Sequence, residues 1–232
     1  MTRTDSEHTV RVKGADIFVA DTGGDGPTVV MLHGGGPGAS GVSNYSRNID
    51  ALAQSHRVIV PDMPGYGRST KHVDHSDPFG FLADMIRGLL DEMGIATAHL
   101  IGNSYGGAAA LRLALDTPHR AGRLVPDELI DLRYQASVDP EVVADPPLQR
   151  PKGLRTLVRM DLTRDKRLKH LPNPTLVLWG RDDKVNRPSG GPLLLNLMPN
   201  AELVMTSHTG HWMQWERADL FNQLVTEFLS AD

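Results

Sequence analysis

The sequence of 232 residues contains no cysteine, so it has neither disulfide bonds nor a thiol nucleophile. It also has no long run of like charges: 24 basic residues stand against 28 acidic ones, for a formal net charge of −4. Binding to nucleic acid or to an anionic membrane is therefore poorly supported. No apolar run is long enough to span a membrane, and residues 1–8 lack the apolar stretch of a secretory signal. These absences predict a soluble, cytoplasmic protein that binds neither nucleic acid nor membrane.

Segments typical of strands and helices alternate along the chain. Strands are predicted at 9–13, 17–21, 28–32, 57–60, 98–101, 175–179 and 202–205, and helices at 43–53, 78–93, 192–197 and 220–229. The first two strands form a hairpin that turns at Gly14. The strand at 28–32 is a continuous apolar run, which favours burial on both faces. This alternation predicts an α/β domain with a mostly parallel, twisted sheet flanked by helices.

The strongest single motif lies at residues 99–108. A short apolar strand runs into a Gly-x-Ser-x-Gly pentapeptide at 102–106, and a helix of small residues follows. This is the pattern of the nucleophile elbow of α/β-hydrolases, a sharp turn that needs glycines near the serine. Backbone N–H groups at the start of the helix can face a developing oxyanion. The pentapeptide alone also occurs by chance in loops, but its flanking strand and helix predict that Ser104 is a catalytic nucleophile.

An acid and a base follow in the chain order Ser, acid, His that this fold requires. Asp182 and Asp183 come directly after a predicted strand, and His211 lies in a glycine-containing loop after the last predicted strand. His211 would take the proton of Ser104 and return it to the leaving group, while an aspartate would orient the imidazole. Alone, an Asp-Asp pair is typical of a helix cap or a turn, and a lone histidine of a solvated loop. In series with the elbow they predict a catalytic triad.

The glycine-rich segment at 33–38, His-Gly-Gly-Gly-Pro-Gly, follows the third predicted strand. In α/β-hydrolases this loop supplies a second backbone N–H to the oxyanion hole, and glycines there leave the substrate oxygen accessible. The alternative is a phosphate-binding loop, but no Gly-Lys-Ser/Thr follows. We interpret His33 as structural, because the triad histidine is already assigned.

Taken together, the motifs resemble those of the meta-cleavage product hydrolases, α/β-hydrolases that cut carbon–carbon bonds in ring-opened catechols. The resemblance is carried by residues 33–45, 62–69, 102–107, 179–186 and 210–212. It implies hydrolysis of the C–C bond of a 2-hydroxy-6-oxo-2,4-dienoate in aromatic or steroid catabolism. It implies no metal or organic cofactor, and a homodimer or higher homo-oligomer. Both an acyl-Ser104 intermediate and a water activated by histidine remain open.

The resemblance also assigns the triad and the oxyanion hole. Ser104, Asp183 and His211 match the family triad, and Asp183 is preferred to Asp182 because its 28-residue separation from His211 matches the family pattern. The backbone N–H groups of Gly35 and Tyr105 match the oxyanion hole.

The resemblance also assigns substrate-binding residues. Asn44 and Asn103 match polar residues that hold the enol and carboxylate end of the substrate, Trp212 matches a pocket residue beside the histidine, and Gly34 and Arg133 complete the set. Arg133 resembles a lid arginine that meets the carboxylate, a task that suits bidentate pairing. The alternatives are that Asn44 caps a helix, that Asn103 only supports the elbow, and that Arg133 is a surface residue of a helix.

The middle of the chain departs from the family pattern. We expect a hydrolase core at 1–125 and 172–232, with a lid at 126–171 that is shorter than the family's. The strand that begins at 123–125 is expected to be a stub, and residues 127–136 a late lid helix. The lid is either naturally small or lacks a piece, and we favour the second interpretation. A loss would open the distal pocket to water.

Other functions use the same fold. A carboxylesterase or peptidase would have the same triad, and a ligand receptor would need no turnover. Dehalogenases and epoxide hydrolases use an aspartate nucleophile, which Ser104 argues against. We favour a C–C hydrolase, with an esterase- or peptidase-type serine hydrolase as the main alternative.

Overall fold

A computed structural model describes residues 6–127, 144–149 and 151–231. Its centre is an eight-stranded sheet in the order β1-β2-β4-β3-β5-β6-β7-β8. The strands are β1 (Ser6–Val12), β2 (Ala15–Asp21), β3 (Thr28–Leu32), β4 (Arg57–Pro61), β5 (Ala98–Asn103), β6 (Ala121–Asp127), β7 (Thr175–Gly180) and β8 (Ala201–Thr206). The pairs β1–β2 and β2–β4 are antiparallel, and every pair from β4 to β8 is parallel. The predicted mostly parallel sheet is confirmed.

Helices cover both faces of this sheet. Those in the described ranges are α1 (Gly41–Tyr45), α2 (Ile49–Leu52), α3 (Pro78–Glu92), α4 (Tyr105–Asp116), α5 (Leu154–Met160), α6 (Gly190–Leu197), α7 (Met213–Glu216) and α8 (Ala218–Ser230), with 3-10 turns at Leu162–Arg164 and Lys166–His170. None of them combines the length and the apolarity that crossing a membrane would require.

The core consists of two apolar clusters, one on each face of the sheet. Along β3, Val30 and Leu32 pack into the cluster that contains α3 and α4, whereas Val29 and Met31 join the cluster formed with α1, α2 and α8. Successive side chains of a strand point to opposite faces, so a strand between two helical layers must be apolar throughout. The uninterrupted apolar run at 28–32 has this physical cause.

The helix predicted at 43–53 is broken in two. α1 ends at Tyr45 and α2 begins at Ile49. Between them, Nδ2 of Asn48 donates to the carbonyl of Gln214 at 3.0 Å and to Oδ1 of Asn222 at 2.8 Å. These distant partners hold the chain in a non-helical turn, which local propensity could not reveal.

The expectation of a stub at 123–125 is wrong. β6 has seven residues, Ala121–Asp127, because β5 continues to Asn103 and offers it a partner along its whole length. On its other side β6 pairs with β7 only through Leu124 and Thr175. The late lid helix expected at 127–136 begins inside β6, and its remaining residues lie outside the described ranges.

Candidate active site

Three predicted catalytic residues follow three strands of the parallel part of the sheet. Ser104 comes after β5, Asp183 after β7 and His211 after β8. Because parallel strands end at the same edge of a sheet, the three side chains reach one region. All three line a cavity of about 500 Å³.

The backbone at Ser104 adopts a conformation that L-residues rarely take, with φ 49° and ψ −111°. Such strain typically costs of order 1–3 kcal/mol and persists only where the surroundings enforce it. Here the surroundings are very close: a Cβ on Gly106 would fall on the carbonyl oxygen of Leu32, in β3. The glycine lets α4 start directly against β3, and the serine between strand and helix is forced to the cavity.

Asp183 and His211 form a hydrogen-bonded pair. Nδ1 of His211 lies 3.0 Å from Oδ1 and 2.9 Å from Oδ2 of Asp183. The backbone N–H groups of Val185 and Asn186 donate to Oδ1 at 2.7 and 2.9 Å, which fixes the carboxylate. Asp182 is exposed instead, and its Oδ2 accepts from the backbone N–H of His208. The structure therefore brings Asp183, and not Asp182, to His211.

Burial sets the protonation of this pair. It lowers the pKa of His211 from the usual 6.5 to about 3, since the protonated imidazolium would lose its hydration. Burial also raises the pKa of Asp183 above 3.8, and the N–H donors of Asn186 and Val185 oppose that rise. At neutral pH the imidazole is therefore uncharged, which is the form that can act as a base.

Glu216 is a functional candidate that the sequence analysis missed. Its Oε2 accepts from the backbone N–H of Gly210 at 2.8 Å, and its Oε1 from that of Trp212 at 3.0 Å. The two donors flank His211 in the chain, so one carboxylate holds the loop on both sides of the imidazole. The available signal in the sequence was a glutamate four residues after Trp212. Because glutamate is common near the start of helices, this signal did not single out Glu216.

Gly35 and Tyr105, which match the family's oxyanion hole, lie side by side. A Cβ on Gly35 would come within 2.9 Å of the Cβ of Tyr105, so only glycine allows the loop after β3 to approach the start of α4 this closely. Tyr66 donates through its hydroxyl to the carbonyl of Gly35 at 2.9 Å. The loop after β3 and the start of α4 are thus adjacent, and Tyr105 directly follows the serine in the chain.

His33 does not line the described cavity, and its ring is bound at both nitrogens. The backbone N–H of Met63 donates to Nε2 at 2.8 Å, and Nδ1 lies 2.8 Å from the carbonyl oxygen of Gly34. Since Nε2 is the acceptor, Nδ1 carries the proton and donates it to Gly34. This bridging position fits the structural interpretation of His33.

Three of the predicted substrate-binding residues, Asn44, Asn103 and Trp212, are buried. Asn44 is fully buried within α1, whose N-cap is Ser40, so Asn44 does not cap that helix. Asn103 is fully buried at the end of β5, and within the described part of the chain its amide nitrogen and oxygen have no hydrogen-bond partner. The buried Trp212 packs its ring 5.9 Å from that of Trp215.

The described residues that line the cavity do not include Gly34, Asn44, Asn103 or Trp212. Arg133 lies outside the described residues.

Much of the cavity lining is apolar. Its apolar lining includes Phe79, Leu111, Leu148, Met160, Leu162 and Leu194. No lysine or arginine occurs among the described lining residues. Asp161, which also lines the cavity, accepts from Nε of Arg164 at 2.9 Å and from the hydroxyl of Thr163. A ligand in this cavity therefore meets hydrocarbon side chains as well as the triad.

Comparison with known proteins gives one consistent family. The profile of the alpha/beta hydrolase fold family matches residues 27–144 and 137–218. A 2-hydroxy-6-oxononadienedioate/2-hydroxy-6-oxononatrienedioate hydrolase of Pseudomonas sp is 36% identical, with 92% of each chain covered. A 2-hydroxy-6-oxo-6-phenylhexa-2,4-dienoate hydrolase of Burkholderia cepacia is 35% identical, covering 96% of this chain and 95% of the relative. A mutant of the meta-cleavage product hydrolase CumD from Pseudomonas fluorescens IP01, complexed with acetates, superposes with a TM-score of 0.83 at 28% identity, covering 96% and 97% of the two chains.

The same alignments reveal an internal difference in length. The alignment with the relative from Cupriavidus pinatubonensis extends over 280 positions, although this chain has 232 residues. That relative therefore carries residues that this chain lacks. The profile match is split within the predicted lid, since its two segments overlap at residues 137–144. This chain is therefore shorter than that relative within the aligned region.

Proposed function

This chain belongs to the α/β-hydrolase family of 2-hydroxy-6-oxo-dienoate hydrolases, and we propose that it cleaves the C–C bond of a ring-fission product by ketonisation followed by hydrolysis. The observation that carries the proposal is the Asp183–His211 pair, which lines the same cavity as the strained Ser104. A nucleophile, a base and an orienting acid in one cavity are the requirements of acyl transfer.

The substrate must first become an electrophile with a usable leaving group. The proton of the 2-hydroxyl moves to C5 and the dienol becomes an α-keto acid. Attack at the C6 carbonyl then gives a tetrahedral oxyanion, and the C5–C6 bond breaks with its electron pair passing toward the 2-keto oxygen. With one water consumed, the products are 2-hydroxypenta-2,4-dienoate, or a substituted relative, and a carboxylic acid.

The chain's residues divide this work. His211, uncharged at neutral pH, accepts the proton of the nucleophile and returns it to the departing dienolate, whose negative charge lies on the 2-oxygen. Asp183 holds the imidazole through Nδ1 and so fixes the orientation of its ring. The N–H groups of Gly35 and Tyr105 receive the oxyanion. Attack by Ser104 itself and attack by a His211-activated water are both compatible with these roles, and rapid-quench mass spectrometry of an acyl-Ser104 adduct separates them.

Polar groups around the triad hold the dienoate end. The buried amide of Asn103 supports this role, because an unsatisfied buried amide costs about 1–3 kcal/mol. A hydrogen bond to the substrate's 2-oxygen would remove that cost. We assign Asn44, Trp212 and Gly34 to the same end, and Arg133 to the carboxylate.

The acyl end of the substrate is proposed to be apolar. The lining residues Phe79, Leu111 and Leu194 support a phenyl or alkyl substituent. A second carboxylate would enter this region without a cationic partner among the described lining residues, which is costly in a desolvated site.

The proposal takes residues 1–125 and 172–232 as the core and 126–171 as a shortened lid.

We further propose that this enzyme, which acts on a small molecule, works in the cytoplasm as a homodimer or higher homo-oligomer. Light scattering of the purified protein and fractionation of source cells test these two points.

The decisive experiment follows the visible absorbance of a yellow 2-hydroxy-6-oxo-dienoate mixed with the enzyme, with p-nitrophenyl acetate hydrolysis in parallel. We expect rapid bleaching that disappears in Ser104→Ala and persists in Ser207→Ala, a control at an exposed serine. Strong ester turnover without bleaching would reject the C–C hydrolase and point to the esterase alternative. Bleaching that survives Ser104→Ala would reject the assigned triad.

A further inference from the structure

The peptide group between Gly34 and Gly35 carries one hydrogen-bond acceptor and one donor. Its carbonyl, on Gly34, accepts a hydrogen bond from Nδ1 of His33 at 2.8 Å. Its N–H, on Gly35, is the assigned oxyanion donor. In a trans peptide the C=O and N–H bonds point in opposite directions in one rigid plane. A bond that holds the carbonyl therefore also sets the direction of the N–H.

We propose that His33 is a positioning residue that aims the oxyanion donor of Gly35 by holding the carbonyl of the same peptide. The chain of donors runs from the N–H of Met63 to Nε2 of His33, and from Nδ1 to the carbonyl of Gly34. It ends at the N–H of Gly35, which points away from the histidine. Hydrogen bonds in series polarise one another, so the same contact strengthens the N–H as a donor.

The neighbouring contacts do not replace this bond. Tyr66 donates to the carbonyl of Gly35, which belongs to the next peptide plane. Asp62 accepts from the backbone N–H of Gly41 at 2.8 Å, further along the loop. Gly34, Gly35 and Gly36 have no Cβ atoms to restrict their dihedral angles. The orientation of the donor peptide in this run of three glycines must therefore be restricted by a hydrogen bond from a side chain, and His33 supplies one.

The two ring nitrogens of His33 can be tested separately. An asparagine amide stands near the position of Nδ1 and can still donate to Gly34, but it loses the acceptor for Met63. A glutamine amide stands near Nε2 and can still accept from Met63, but it loses the donor to Gly34. The inference therefore predicts that His33→Asn is more active than His33→Gln, although each variant gives up one buried hydrogen bond.

Outright removal of an oxyanion donor costs about 10²–10³ in kcat, so misdirecting one in His33→Gln should lower kcat by about 10- to 50-fold. KM should change little, because the oxyanion forms only after binding. In His33→Asn we expect kcat within about threefold of the wild type. Tyr45→Phe is the matched control, since it removes a buried hydrogen bond to the carbonyl of Leu32, outside the donor peptide.

The inference rests on the proposed function, so the variants are also compared in the rate at which a fluorophosphonate labels Ser104. That reaction places a phosphoryl oxygen in the oxyanion hole and needs no dienoate. If the wild type is labelled but bleaches no dienoate, the proposed substrate fails while the ranking of the variants still decides the role of His33. Equal losses in both variants that follow their melting temperatures, or a more active His33→Gln, would overturn the inference.

One measurement needs no variant to fold. Nitrogen-15 NMR of the wild-type imidazole should find the proton of His33 on Nδ1, with the Nδ1–H resonance shifting when the fluorophosphonate adduct fills the oxyanion hole. A proton on Nε2 would overturn the proposal, because the ring could then neither accept from Met63 nor donate to Gly34.

Discussion

His211 Nδ1 lies 2.9 Å from Oδ2 of Asp183, although the two residues are 28 positions apart in the chain. The contact exists because β7 and β8 are parallel neighbours whose following loops meet at one edge of the sheet. Asp182, one position earlier, turns to the backbone of His208 instead. This distinction between adjacent aspartates supplies a sharp test of the assigned triad.

Asp183→Asn should reduce kcat by about 10³–10⁴, because an amide favours the wrong imidazole tautomer and cannot stabilise the imidazolium. Asp182→Asn is the matched control, since its side-chain oxygen can still accept from His208. Dienoate bleaching measures both. Equal activity of the two variants would rule out Asp183 as the orienting acid.

Ser104→Gly should be more stable than Ser104→Ala, although both should be inactive. The strain at φ 49° costs the alanine variant about 1–3 kcal/mol, and glycine relieves it. Glycine also lowers stability by about 0.5–1 kcal/mol, because it makes the unfolded chain more flexible. We expect a net difference of about 1 kcal/mol in the free energy of unfolding, measured with urea. An alanine variant as stable as the glycine variant would show that the elbow is unstrained.

The free energy of unfolding should fall as the pH drops below 6.5. Burial lowers the pKa of His99 to about 4, with His56 and Arg123 adding to the effect, and burial also lowers the pKa of His56. Below pH 6.5 these histidines therefore bind protons in the unfolded chain but not in the folded chain. Their contribution to the free energy of unfolding is fully present above pH 6.5 and declines toward pH 4.

His99→Gln should flatten this decline by at most about 1.4 kcal/mol per pH unit. Nδ1 of His99 accepts from the backbone N–H of Arg123, so protonation would also break that bond. Urea unfolding between pH 4 and 8 tests the prediction, with His170→Gln as the control at an exposed histidine. An unchanged slope in His99→Gln would contradict it.

Leu194→Arg should shift the substrate preference toward dicarboxylates. Leu194 is one of the apolar residues that line the cavity, whereas Leu195 is exposed and absent from the described lining. A cation there should raise kcat/KM for a dicarboxylate relative to a phenyl dienoate by roughly tenfold, the ratio that about 1.4 kcal/mol produces. Leu195→Arg should leave the ratio unchanged. A wild-type enzyme that already prefers the dicarboxylate would contradict the proposal of an apolar acyl group.

Several features of the fold were predictable because they depend on local patterns. The apolar run at 28–32 follows from burial between two helical layers, and the glycine spacing around Ser104 follows from one sharp turn. Patterns of this kind are written in neighbouring residues, so the alternation of strands and helices indicated the mostly parallel sheet that the structure has.

Other features were decided by contacts between distant segments. The break between α1 and α2 depends on Asn48 meeting residues of the C-terminal part, and the full length of β6 depends on its pairing with β5. Glu216 and the loop of His211, and also His33 and the Gly34 carbonyl, are close in the chain, yet their hydrogen bonds depend on backbone directions that the folded structure sets. Local motifs indicated which residue types could perform the chemistry, because a motif lies in neighbouring residues. Packing settled which of the two adjacent aspartates meets the imidazole of His211, because that contact depends on the distance between two loops.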